Sequence, residues 1–141
     1  MRALVLRDYW NLEVQDVPDP VVGPTDVLVE IAATGICGSD LHGYTGENGR
    51  RQPGQVMGHE TAGRIRALGE RVAVTEPVAH RRARDFQATT RWVGTTDVPL
   101  GRLVEGRIGL DDAPAMFSEL ANGREHASKV LVLPNEVDRA G

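Results

Sequence analysis

"GICGSDLHGYTG", residues 35–46, and "GQVMGHETAG", residues 54–63, decide how this chain reads. They hold its only cysteine, Cys37, together with Asp40, His42, His59 and Glu60. A Cys thiolate, a His imidazole and a carboxylate are the ligand types that Zn²⁺ takes in catalytic sites, with a fourth position left for water or substrate. Cys37 falls at the end of a predicted strand, and His59 and Glu60 fall at the start of another. Strand ends distant in sequence can converge on one point, and glycines at 35, 38 and 58 let backbones approach closely. A plain alternative stands beside this. A lone Cys is often an inert buried side chain, and a single His-Glu pair lacks the specificity of paired Cys-x-x-Cys spacing.

Outward from these stretches, the pattern is one of short strands. "RALVLR" and "NLEVQDV" flank the turn "DYWN", which predicts a β-hairpin over residues 2–17. "PDPVVGPTD" is a Pro/Gly connector, and residues 26–36 alternate as a third strand through Val27, Val29 and Ile31. Residues 35–54 are Gly-rich and predict a loop with one helical turn near Ser39–His42. "HETAGRIRAL" and "ERVAVTE" give two further strands. Residues 80–97 show no clean period. "GLDDAPAMFSELANG" predicts a helix: Asp111 or Asp112 caps its start, Pro114 suits the first turn, and Gly123 suits a left-handed end. Ala113, Met116, Phe117 and Leu120 share one face. "SKVLVLP" closes the pattern as a strand. Short strands at such spacing suggest a small barrel or sandwich.

Composition narrows the classes. The chain has 141 residues, 40% of them hydrophobic, which predicts one compact domain over 1–141 with a real core. A net charge of −4 with no basic face argues against nucleic acid as a partner. One cysteine forbids an internal disulfide and points to a reducing, cytoplasmic setting. "MRALVLRDYW" holds too short an apolar run for a signal peptide, and no stretch approaches the roughly 20 apolar residues that span a bilayer.

The second stretch and its continuation, "GHETAGRIRALGERV", fit G-H-E-x₂-G-x₅-G-x₂-V at Gly58, His59, Glu60, Gly63, Gly69 and Val72. With "GICGSDLHGYTG", and with "VEGRIGLDDAPAMFSELANGREHASKVLVLP" near the end, this resembles the zinc-dependent medium-chain alcohol and polyol dehydrogenases over roughly residues 1–78 and 98–134. The resemblance implies a mainly β fold with some α: a GroES-like β-barrel closed by a C-terminal helix and strand. It implies Cys37 and His59 as zinc ligands, and Glu60 as a carboxylate that ligates zinc or exchanges with water. It implies Ser39 as the hydroxyl that moves a proton to or from the substrate oxygen, Asp40 as the carboxylate behind the ligand His, and His42 as the end of the proton relay. Glu76, in "TEPVA", resembles a carboxylate ligand or water-holding group of polyol-type members.

The departures from the family matter as much. Its nucleotide-binding domain needs a G-x-G-x-x-G/A turn, and the chain contains no G-x-G at all. Residues 79–98 stand where that domain is inserted. The four-cysteine structural zinc lobe is absent too. The expectation is therefore a Zn²⁺ protein with no NAD(P) site of its own. Three readings follow. One is a lyase, isomerase or cyclase using Lewis-acid and general acid/base chemistry on a small hydroxy or carbonyl compound. Another is a dehydrogenase catalytic-domain remnant that needs a cofactor domain in trans. The last is a non-enzymatic metal-binding module. Barrel surface left uncovered predicts a homodimer, or a covering by residues 79–97 with Phe86 and Trp92 as plugs.

Overall fold

The computed structural model describes residues 1–47, 49–72, 92, 95, 97 and 99–135. Strands β1 (Arg2–Asp8) and β2 (Asn11–Asp16) form the expected antiparallel hairpin. Ala3 to Leu6 are all buried, so β1 is covered on both faces rather than alternating. The hairpin turn places Trp10 at φ 63°, an uncommon conformation for a bulky residue. Tyr44 holds it there: the Trp10 N–H donates to the Tyr44 carbonyl at 2.8 Å, and the Tyr44 hydroxyl donates to the Trp10 carbonyl at 3.0 Å.

A four-stranded sheet in the order β4-β3-β6-β5 supplies the other wall. It is built from β3 (Val27–Gly35), β4 (Glu60–Leu68), β5 (Gly106–Gly109) and β6 (Val130–Leu133). Two helices join the strands: α1 (Gly38–Thr45) and α2 (Ala113–Ala121). The fold is thus mainly β with some α, as a GroES-like domain requires. Residues 54–57 run beside β1, with Leu6 N–H to the Gln55 carbonyl and Met57 N–H to the Leu4 carbonyl, both 2.9 Å. This contact carries the chain into His59 and Glu60. Leu4, Leu6, Phe117, Val130 and Val132 meet in the core between the two sheets.

Several expectations need correction. The loop over residues 35–54 holds a full helix of eight residues rather than one turn. Asp112 occupies the N-cap position of α2, but neither it nor Asp111 caps with its side chain: Asp112 makes no cap hydrogen bond, and Asp111 pairs with Arg2. The closing strand β6 pairs antiparallel with β3 and parallel with β5, so β5-α2-β6 is a parallel crossover unit. Phe117 faces the core at 2% exposure, with Met116 and Leu120 packed against it. Of the expected strand at 70–76, residues 73–76 lie outside the described residues, as do Phe86 and most of 79–98. Trp92 is described and stands 54% exposed, so it is no plug.

Two glycines of the G-H-E-x₂-G-x₅-G motif have a steric reason. A Cβ on Gly63 would lie 2.1 Å from the Glu30 carbonyl oxygen, and one on Gly69 would lie 2.2 Å from that of Gly23. Both obstacles are backbone, which cannot swing aside. Gly63→Ala should therefore cost about 1–3 kcal/mol through forced backbone shifts, whereas Gly101→Ala, which meets open space, should cost little. Paired thermal melts of the two variants check this; equal midpoints would contradict it.

Candidate metal centre

The end of β3 and the start of β4 are neighbours, because Gly35 pairs with Glu60. Past Gly35 the chain turns into α1, with Cys37 as its N-cap residue. Gly58 at φ 100° turns the chain immediately before His59, in the left-handed region that favours glycine. One potential ligand atom each from Cys37, His59 and Glu60 therefore lies within 4.8 Å of the others. Among the described residues this is the one such group of three or more His, Cys, Asp or Glu side chains.

Asp40 anchors the arrangement. Its side chain is fully buried. Its Oδ2 accepts from the Cys37 backbone N–H at 3.3 Å, and its Oδ1 accepts from Arg51 Nη2 at 3.1 Å. His59 Nδ1 lies 3.0 Å from the same Oδ1 and 3.3 Å from Arg51 Nη2. Nδ1 cannot both donate to the carboxylate and accept from the guanidinium. The shorter contact, to a buried acceptor, assigns the proton to Nδ1 and leaves the Nε2 lone pair for a ligand. Ser39 Oγ lies 3.3 Å from both His59 Nε2 and Cys37 Sγ, so the hydroxyl sits against two atoms of the trio.

Glu60 Oε2 accepts from Lys129 Nζ at 2.7 Å. That bond is the main cause holding the Glu60 carboxyl below its ordinary value; burial opposes it, and the Cys37 contact and the charges of Lys129 and His59 assist it. His42 lies in the last turn of α1, exposed, with Nδ1 2.7 Å from Glu47 Oε2. Glu76 lies outside the described residues. The sequence reading missed Arg51 and Lys129. A buried Asp40 calls for a countercharge, and that was the available signal for Arg51. Its place is made by Gly43, where a Cβ would come within 2.3 Å of Arg51 Cγ.

The donor set fits zinc: a thiolate sulfur, an imidazole whose other nitrogen is tied to a carboxylate, and a carboxylate oxygen. Asp40→Ala should destabilise the metal-free chain by roughly 1.5–3 kcal/mol, because Arg51 and His59 lose a charged acceptor. A shift of the urea midpoint reads this, and an unchanged midpoint would remove Asp40 as the anchor.

The profile of the alcohol dehydrogenase GroES-like domain matches residues 23–88. The L-threonine 3-dehydrogenase of Symbiobacterium thermophilum is 47% identical over 76 residues, covering 51% of this chain and 22% of that protein. The zinc-type alcohol dehydrogenase-like protein YdjL of Escherichia coli is 46% identical over 74 residues, covering 51% of this chain and 21% of that one. The structure of the alcohol dehydrogenase TADH from Thermus sp. ATN1 superposes with a TM-score of 0.48 at 41% identity, over 55% of this chain and 22% of that chain. The chain spans only about a fifth of the length of the curated relatives it matches. With the trio on adjacent strand ends and a GroES-like match that includes both opening stretches, the chain belongs to the zinc-dependent medium-chain alcohol dehydrogenase family.

Proposed function

We propose that this chain is the zinc-holding catalytic domain of a dehydrogenase acting on a small hydroxy or carbonyl compound, with the nicotinamide held by a domain outside these residues. The observation that carries the reading is the convergence of Cys37, His59 and Glu60 on one point, in a chain whose relatives are named as dehydrogenases. Cofactor-free lyase, isomerase or cyclase chemistry finds no support in those relatives, and the dehydrogenase alternative replaces it. Without a G-x-G turn the chain offers no phosphate cradle of the usual kind, which is why we assign hydride acceptance elsewhere.

When bound, zinc would polarise the substrate oxygen and make its proton easier to remove. Cys37, His59 and Glu60 would hold it, with Glu76 or water as the fourth partner. Ser39 is the group placed to take the substrate hydroxyl proton, since its Oγ already touches both Cys37 Sγ and His59 Nε2. His42, tied to the exposed Glu47, would pass that proton towards solvent. Asp40 keeps His59 in the tautomer that presents Nε2. In the oxidative direction the alcohol loses this proton to Ser39 and a hydride to the nicotinamide, leaving a carbonyl compound and the reduced cofactor. Val27, Ile65 and Leu68 stand exposed on β3 and β4, which favours a covering surface from a second copy or from the cofactor domain. Among the described residues no helix is long and apolar enough to cross a membrane; a cytoplasmic setting remains part of the proposal.

Purified chain should carry about one zinc per molecule. Cys37→Ser should lose it, because a serine hydroxyl is a far poorer ligand than a thiolate at neutral pH. Metal analysis by mass spectrometry decides, and equal zinc in the two proteins would end the assignment. Joined to the nicotinamide-binding domain of a relative, the chain should oxidise an alcohol with formation of reduced cofactor. Ser39→Ala should then slow turnover by about 10²–10⁴ with zinc content unchanged. Turnover that ignores Ser39 would exclude it from proton transfer.

A further inference from the structure

The pair formed by Glu60 and Lys129 is 69 residues apart in sequence and has no place in the roles given so far. It exists because β3 lies between β4 and β6. Gly35 pairs with Glu60 on one side and with Leu131 on the other, so the ion pair spans the end of β3 across Gly35. The missing side chain of Gly35 makes the room. A Cβ there would lie 2.8 Å from Glu60 Oε2 and 3.3 Å from Lys129 Cδ. Lys129 Nζ has a second anchor, the Ile36 carbonyl at 3.3 Å. The ammonium is thereby held against the residue that precedes Cys37. A cation entering the trio must share the Glu60 carboxylate with this ammonium, and part of that carboxylate's charge is already compensated.

We propose that Lys129 is a positioning residue that restrains Glu60, so that the carboxylate does not close the coordination sphere of a divalent cation held by Cys37 and His59. The inference rests on the zinc reading above and gives it a directional consequence. A carboxylate released from its ammonium becomes a stronger donor, and the site becomes more negative by one charge. The coordination position kept for water or substrate is then lost to Glu60. Removing Lys129 should strengthen metal binding while spoiling the open position, whereas loss of a merely structural contact would weaken binding or leave it unchanged.

The test is zinc affinity by chelator competition on the full chain, together with the visible spectrum of the cobalt-loaded protein, which reports coordination number. Lys129→Met should bind zinc about tenfold more tightly, since a nearby positive charge has been withdrawn. Lys129→Gln removes the charge but keeps a donor for the Ile36 carbonyl, and should follow Lys129→Met. Lys129→Arg should behave as the unmodified chain. On a Glu60→Gln background the gain should vanish, because the carboxylate through which Lys129 acts is gone. The cobalt spectrum should change for Lys129→Met and Lys129→Gln and stay constant for Lys129→Arg. If the chain binds zinc but both uncharged variants bind it equally or more weakly, the positioning role is overturned and the zinc site survives. The same follows if the gain persists without the Glu60 carboxylate. If the unmodified chain takes up neither zinc nor cobalt, both readings fall together.

Discussion

A carboxylate with no exposure to solvent has to be surrounded by donors, and Asp40 is surrounded by three: the Cys37 backbone N–H, the Arg51 guanidinium and the His59 ring. The desolvation of a buried charge is offset only when such bonds are made together. Each donor comes from a different part of the site. The Cys37 N–H belongs to the N-cap of α1, Arg51 to the segment leading towards β4, and His59 to the residue just before that strand. Satisfying one carboxylate therefore sets the distance between the thiol and the imidazole, and it selects the ring tautomer as well. The chemistry at the surface of the cluster depends on a charge that solvent never meets.

The sheet supplies the second constraint. With β3 between β4 and β6, the residues that carry the chemistry gather at one end of three neighbouring strands. The close approach of β4 to β3 at Gly63, and of Gly69 to the connector at Gly23, leaves no space for side chains at those positions. The glycines of the motif are thus packing requirements around the trio and not part of it. The same strand order brings Lys129 to Glu60, which makes the carboxylate the most restrained member of the trio. Cys37 and His59 face Ser39, while Glu60 is drawn towards β6.

This asymmetry bears on function. A dehydrogenase site needs a metal that is firmly held and yet has a position open to the alcohol. Two ligands stiffened by a buried carboxylate and one held back by an ammonium meet both needs. The missing nicotinamide turn then separates duties: this domain would polarise the substrate and move its proton, and hydride acceptance belongs to another domain. The matched relatives place that division within a dehydrogenase framework, which is where the expectation of cofactor-free chemistry gave way.

What was legible in the sequence was local. The hairpin over residues 2–17 could be read because alternation and a turn signal are short-range properties, and the structure shows it at Arg2–Asp16. The buried face of α2 followed from helical spacing, and its end from Gly123 at φ 66°. Cys37, His59 and Glu60 could be nominated because their side-chain types and their glycine-flanked positions at strand ends suit a metal. Tertiary structure alone decided the rest. Periodicity tells which face of a strand is buried but not which strand lies beside it, so the parallel pairing of β5 with β6 was not foreseen. Nor was α1's full length, since glycines at 38 and 43 read as loop; Gly43 is buried and gives its space to Arg51. Arg51 and Lys129 carry no motif of their own. They matter through partners 11 and 69 residues away, and only the folded sheet and the burial of Asp40 bring those charges together.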